Sequence, residues 1–297
     1  MSFSWGVVRL IGGLLGLLPH RILMLLGTCL GCVFFDVLWW RRRLMLAQLR
    51  AALPELSPRQ CRRLGRRVWK EQCLNVLELL AAPRLLRVKP LLHHGALPAG
   101  GGLLLSAHLG NFELASYAAA LRGERLFVVS KQMSVGVLDR LWRRYRASFG
   151  IEVLCGSDVI RQALRALEDG AWVAFTLDQH SPERRAVEAA FLGLPARSSA
   201  ALATLAVRSH CAIVPVFCCR SEAGLTEVSF GRAFQASPGA DVRQRIEATT
   251  RQCLALVEQA VREHPECWLW LHRRWKDAQG RPLITPGPVL GSQTRKA

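Results

Sequence analysis

His108 and Glu113 lie in the stretch Leu103-Leu-Leu-Ser-Ala-His-Leu-Gly-Asn-Phe-Glu113, a His-x4-Glu spacing that joins a base to a carboxylate. An imidazole can take a proton near neutrality. A carboxylate accepting from one ring nitrogen fixes the tautomer and leaves the other nitrogen to deprotonate a substrate hydroxyl. The chemistry expected of this pair is general-base catalysis at a hydroxyl. The spacing alone recurs by chance in a chain with eight His, so its surroundings must decide.

Those surroundings suit a site. Apolar residues run into Ser106-Ala107-His108, reading as the end of a buried strand, and Gly110-Asn111 opens an Ala-rich helix through Leu121. The imidazole then stands at a strand-to-helix turn, where open α/β sheets keep their ligands. Further strands are expected at Leu126 to Ser130, Ile151 to Leu154, Trp172 to Leu177, Ala212 to Phe217 and Glu227 to Phe230. Helices are expected at Ser134 to Phe149, Asp158 to Glu168, Ser198 to Arg208 and Val242 to His264. This alternation predicts an α/β fold with a mostly parallel sheet flanked by helices. Leu53-Pro-Glu-Leu-Ser-Pro58 reads as a turn and helix start, followed by one long amphipathic helix.

A formal charge of +18 over 297 residues and a pI near 10.7 call for a polyanionic partner: nucleic acid, anionic lipid or a phosphorylated substrate. A hydrophobic content of 51% with nine Trp favours a membrane surface over nucleic acid, and no nucleic-acid partner is expected. The ten Cys lack regular spacing and several lie in apolar runs, so they read as reduced thiols. Cys29-x2-Cys32 has no second ligand pair, and no metal is expected.

From Ile22 to Trp40, nineteen residues carry one charge, Asp36; the run ends in Trp39-Trp40 and Arg41-Arg42-Arg43. This reads as an N-terminal hydrophobic membrane-anchor helix with an aromatic border and a positive stop, placing the bulk of the chain on the cytoplasmic side. Trp5 to Leu18 offers a second, shorter apolar helix, and both a crossing and a one-leaflet hairpin fit. Residues 41 to 70 then carry ten Lys or Arg against one acid, Glu55. Arg62, Arg63, Arg66, Arg67 and Lys70 fall on one helix face, and Arg140, Arg143, Arg144 and Arg146 form a second cluster; these are the basic amphipathic helices that would meet anionic headgroups. The expected organisation is an anchor over 1–43, a catalytic domain over 44–285 and a loosely ordered basic tail over 286–297.

Several blocks, in order, resemble the late acyltransferases of lipid A biosynthesis, the lauroyl/myristoyl family within the glycerolipid acyltransferase-like superfamily. They are the apolar N-terminus, Leu53 to Ser57, Ser106 to Glu113, Leu138-Asp139-Arg140, Asp178-Gln179, Phe191 to Ala196, Val214-Pro215-Val216 and Pro265 to Lys276. The resemblance implies that His108 is the general base and Glu113 orients and charges it. The activated hydroxyl then attacks the thioester of an acyl carrier protein or coenzyme A donor, without cofactor or enzyme nucleophile. It also implies that Asp178 and Gln179 shape the pocket and that Arg197 holds a phosphate. Where many members carry an Arg followed by Asn-Pro, this chain has Lys131 and then Val135-Gly136, which supplies charge without a bidentate fork. The implied acceptor is a lipid A precursor or a related anionic glycolipid or lysophospholipid. A lipid esterase would need a Gly-x-Ser-x-Gly elbow, which is missing. A non-catalytic membrane or nucleic-acid binding protein would explain the charge but leave the His108 turn without a task.

Overall fold

The computed structural model describes residues 3–88, 91–131, 135–221 and 223–285; the expected basic tail lies outside them. Nine strands are found among these residues: β1 (Leu92–His94), β2 (Gly102–Ser106), β3 (Leu126–Val129), β4 (Glu152–Leu154), β5 (Trp172–Thr176), β6 (Val187–Phe191), β7 (Leu194–Ser198), β8 (Ile213–Arg220) and β9 (Thr226–Phe230). Seven form one sheet in the order β1-β9-β8-β2-β5-β3-β4. From β8 to β4 all neighbours are parallel, while β9 runs antiparallel to β8 and β1 parallel to β9. The α/β, mostly parallel sheet expected from the sequence is what the chain forms.

The helices are α1 (Phe3–Leu15), α2 (His20–Cys32) prolonged by a π-helical turn over Val33–Val37, α3 (Arg42–Ala52), α4 (Pro58–Val88), α5 (Phe112–Leu121), α6 (Gly136–Ala147), α7 (Val159–Glu168), α8 (Ala201–Ser209) and α9 (Val242–Glu263). Helix starts follow local chemistry. At α4, Ser57 and Gln60 form a reciprocal capping box, with Gln60 Oε1 accepting from Ser57 N at 2.8 Å and Ser57 Oγ from Gln60 N at 3.4 Å, and Pro58 fills the first helical position. Asn111 caps α5, accepting from Leu114 N at 3.3 Å, and Asp241 caps α9, accepting from Gln244 N at 2.8 Å.

Side chains of β2 alternate between the two faces of the sheet. Leu103 and Leu105 join the core with α7, α8, α9 and the tryptophans of residues 268–275, whereas Leu104 joins Val214, Tyr117, Tyr145 and Trp5 on the opposite face. One expectation fails locally: Ser198 does not begin a helix but ends the β6–β7 hairpin, and α8 starts at Ala201. The hairpin turns at Leu192-Gly193, both at positive φ (52° and 76°). Leucine rarely adopts that conformation, and here its amide is held by Glu258 Oε2 at 2.7 Å, a contact from α9 that local sequence does not announce.

Candidate active site

His108 leaves the carboxyl end of β2 at the point expected. In the β2–β5 register Ser106 faces Thr176, and Leu177 N donates to Ser106 O at 3.1 Å. Two residues on, His108 therefore stands beside Asp178. His108 Nδ1 lies 2.9 Å from Asp178 Oδ1, while Asp178 Oδ2 accepts from the His108 backbone N–H at 3.1 Å and from the Trp268 indole N–H at 2.8 Å. With Asp178 2% exposed and ionised, Nδ1 carries the proton and Nε2 is the free base. Gln179 Nε2 stands 3.0 Å from His108 Nε2, in the direction a substrate hydroxyl would approach.

The electrostatics agree. Burial works against the imidazolium, but the charge and hydrogen bond of Asp178 outweigh it; Glu113 adds to the effect, Arg146 opposes it, and the His108 pKa is raised above its ordinary value. Burial would lift the Asp178 carboxyl, yet the His108 charge and the three N–H donors bring it down to about 2. His272, whose pKa also responds to His108 and Asp178, is held neutral by burial, its pKa falling to about 4.

Glu113 occupies a different place from the one its spacing suggests. It is 5% exposed in the first turn of α5, and its carboxylate is taken by Arg146 of α6, Nε to Oε2 at 3.1 Å with a second bond between Nη2 and Oε1. Its influence on His108 is through charge across the pocket wall, and the carboxylate that orients the ring is Asp178. The same pair corrects the reading of Arg140 to Arg146 as a headgroup-facing cluster. Arg146 points inward to Glu113, Arg143 binds Asp139 at 2.7 Å and Arg144 lies over the Trp5 ring at 4.9 Å, so three of the four cations are engaged within the protein.

A cavity of about 570 Å³ opens beside the His108 ring, lined by Phe112, Glu113, Val128, Trp142 and Phe175 among others, with Lys131 and Gln179 also on its wall. Its lining mixes these apolar side chains with polar ones such as Ser106, Arg146 and Ser181. Of the residues singled out by sequence, His108, Glu113, Lys131 and Gln179 line this space and Asp178 supports the base from behind. Arg197 does not join them: in β7 it pairs with Glu188 Oε1 at 2.5 Å and donates to Glu183 O at 3.0 Å.

Trp268 and Gly110, which the sequence offered only as part of the resemblance and as a helix start, take a place in the site that local pattern did not assign. The segment around Trp268 bridges to Leu109, Leu269 N donates to His108 O at 3.1 Å, and Gln48 of α3 holds the segment by donating to the Trp270 and His272 carbonyls at 2.7 and 3.0 Å. Gly110 has φ +56°, and a Cβ there would overlap the Cys218 carbonyl oxygen, so the turn closes only with glycine. Among the described residues no group of three or more His, Cys, Asp or Glu could hold a metal ion.

A carboxylate-supported imidazole at the end of a central parallel strand, facing a cavity of mixed apolar and polar lining, defines an α/β fold equipped for acid-base chemistry. The chain belongs to the bacterial lipid A biosynthesis acyltransferase family, whose pattern matches residues 95–277 and so takes in His108, Glu113, Lys131, Asp178, Gln179 and Trp268. It is also similar to the phosphatidylinositol mannoside acyltransferases of two Mycobacterium tuberculosis strains, H37Rv and CDC 1551. In each case it is 29% identical over 185 residues, 61% of this chain and 56% of the relative. The match thus spans little more than half the length of these relatives.

Proposed function

We propose that the protein is a membrane-associated O-acyltransferase that moves a fatty acyl chain from an acyl carrier protein or coenzyme A thioester to a hydroxyl of an anionic glycolipid or lysophospholipid. Its base is His108. Nε2 takes the acceptor proton as the oxygen attacks the thioester carbonyl, the tetrahedral intermediate expels the thiolate, and the imidazolium returns its proton to that sulfur. Asp178 keeps Nδ1 protonated and stabilises the imidazolium. Gln179 donates to Nε2 and yields to the acceptor hydroxyl. Glu113 adds negative charge that favours imidazolium and fixes Arg146 as a wall of the cavity. Lys131, exposed at the rim, supplies a point charge for a phosphate of donor or acceptor.

The observation that carries this reading is the 2.9 Å Nδ1 contact with Asp178, with the His108 ring on the wall of a cavity that Phe112, Val128, Trp142 and Phe175 also line. The mycobacterial relatives, named for a phosphatidylinositol mannoside, support a phosphate-bearing glycolipid as acceptor; the family supports a lipid A precursor. Both are anionic, as the net charge of +18 favours. The inner membrane, with the catalytic domain toward the cytoplasm, is the proposed site of action.

The test is acyl transfer by detergent-solubilised protein, with labelled acyl carrier protein and acyl-coenzyme A donors offered against both acceptor types. His108→Ala should lose at least ~10²-fold in turnover while remaining folded at the assay temperature by circular dichroism. Wild-type activity retained by the variant refutes the base assignment. A folded wild-type protein that transfers to no lipid, yet binds nucleic acid with steep salt dependence after loss of residues 1–43, would replace the enzyme reading with a binding one.

A further inference from the structure

We infer that the α1–α2 hairpin lies flat in one leaflet of an anionic bilayer, docked lengthwise on α4, and does not cross the membrane. The inference deepens the membrane association proposed above and is independent of the reaction. By length and composition, His20–Val37 is able to cross. What it packs against argues otherwise.

One stripe of α2 and its π-helical extension, Leu23, Gly27, Gly31 and Phe35, recurs every fourth residue and is buried on α4. A Cβ on Gly31 would come within 2.6 Å of the Lys70 backbone, and one on Gly27 within 2.8 Å of Leu74 Cβ, so the helices touch at their main chains. Both ends are tied by polar contacts: His20 Nε2 lies 2.9 Å from Glu78 Oε1, and Arg66 grips the Asp36 carboxylate through Nε and Nη2, each at 2.9 Å. α1 continues the contact, Gly12 packing so close to α4 that a Cβ would overlap the Leu80 carbonyl oxygen.

The other flank of α4 belongs to the catalytic unit. Asn111, the cap of α5, donates to Asn75 O at 3.2 Å and to Glu78 Oε2 at 3.0 Å, and Tyr145 Oη donates to Leu79 O at 2.5 Å. α4 cannot follow α2 into hydrocarbon, because opposite α2, over residues 65–78, it carries Arg66, Arg67, Lys70 and Glu71, none of them buried. A docked α2 that crossed would carry them with it, and an undocked one would abandon a glycine-fitted interface, the His20–Glu78 hydrogen bond and the Arg66–Asp36 ion pair.

The face turned away from α4 is apolar. Leu10, Leu14, Leu17, Leu25, Val37 and Trp39 are each more than half exposed. Exposed Arg9, Arg21 and Arg43 stand among or beside them. A second copy brought face to face would set these cations against their own kind, whereas anionic headgroups neutralise them while the acyl region takes the leucines.

The test uses the full chain expressed in bacteria, with Arg21→Cys and Arg43→Cys made singly at the two ends of the apolar run. A membrane-impermeant maleimide is applied to inverted inner-membrane vesicles and to spheroplasts, and modification is read by peptide mass spectrometry. Both ends should react in inverted vesicles and neither in spheroplasts. One end reacting in each preparation overturns the inference in favour of a crossing. Recovery in the soluble fraction as a dimer by light scattering overturns it in favour of a second copy. As a control on the face itself, Leu14→Asp/Leu25→Asp leaves the buried stripe intact and should lower flotation with phosphatidylglycerol vesicles by ~10-fold or more at unchanged melting temperature; undiminished flotation overturns the assignment. Acyl transfer in detergent is read separately, so failure of the reaction and failure of the topology are distinguishable.

Discussion

Replacing Asp178 by asparagine separates a carboxylate that orients the base from one that merely lines the pocket. Oδ2 accepts from two N–H groups, the His108 amide at 3.1 Å and the Trp268 indole at 2.8 Å, neither of which can become an acceptor. The single oxygen of the substituted amide must therefore turn toward them, and its NH2 faces His108 Nδ1. The imidazole answers by moving its proton to Nε2, which removes the lone pair from the cavity side. Loss of the productive tautomer and of imidazolium stabilisation corresponds, in the serine-protease precedent for an aspartate-supported histidine, to a fall on the order of 10³–10⁴ in turnover, or about 4–5.5 kcal/mol of barrier. The carboxyl is depressed from 3.8 to about 2, so its ionisation contributes roughly 2 kcal/mol of stability near neutrality. The variant should thus melt at a lower temperature as well. The assay is kcat/KM for acyl transfer in detergent from pH 5 to 9 for wild type, Asp178→Asn and His108→Ala, at a temperature where all three are folded. Asp178→Asn should approach His108→Ala in kcat with KM changed by no more than about threefold, since binding groups are untouched. Retention of more than a tenth of wild-type kcat/KM would refute the argument that Asp178 sets the tautomer.

The pH profile of the wild type follows from the raised His108 pKa. The base is competent only when neutral, so kcat/KM should climb with pH through an apparent pKa above 6.5, and a limb centred below 6.5 contradicts the electrostatics described. Stability runs the other way for this group: the gain from imidazolium pairing is full below 6.5 and is lost as pH rises through the folded value, while the Asp178 contribution is full above about 4 and lost as pH falls to about 2. Glu113→Gln leaves the buried Arg146 guanidinium without its counter-charge and should cost about 3–5 kcal/mol by denaturant unfolding. The double change Glu113→Leu/Arg146→Met should recover most of that stability, and failure to do so would mean that the pair is not the origin of the loss. Trp268→Phe keeps the ring packing but deletes a hydrogen bond to a buried carboxylate, worth about 1.5–3 kcal/mol, and should lower kcat with little change in KM. Gly110→Ala forces a Cβ against Cys218 O and should both destabilise the protein and displace the His108 turn, measured as a joint fall in melting temperature and kcat.

The legible parts of this chain are those written in local pattern. Each expected strand is present, and runs such as Leu103 to Ala107 and Ile151 to Leu154, each preceded by Gly, carry their strand preference locally. His108 was readable because an imidazole at a strand-to-helix turn is a local event. The partner of His108 was not. Glu113 is its neighbour in sequence, but α5 points that carboxylate across to Arg146 of α6, and the hydrogen-bonded carboxylate comes from the end of a strand seventy residues later. That choice is made by sheet order: β2 lies beside β5 although β3 and β4 intervene in the chain, and the β2–β5 register carries Asp178 alongside His108. No spacing rule contains that information. Arg197 misled for a related reason, since a basic residue in an unrecognised hairpin has its cross-strand acid, Glu188, waiting opposite. The arginines of α6 misled likewise: helical periodicity reports which residues share a face but not what that face meets. The charge of the catalytic pocket is thus fixed by pairings between elements, Asp178 with His108 and Glu113 with Arg146. Substitutions that preserve every local pattern while exchanging one of these four residues should leave the strand and helix order in place, at a cost in stability, and strike the chemistry or its supporting wall.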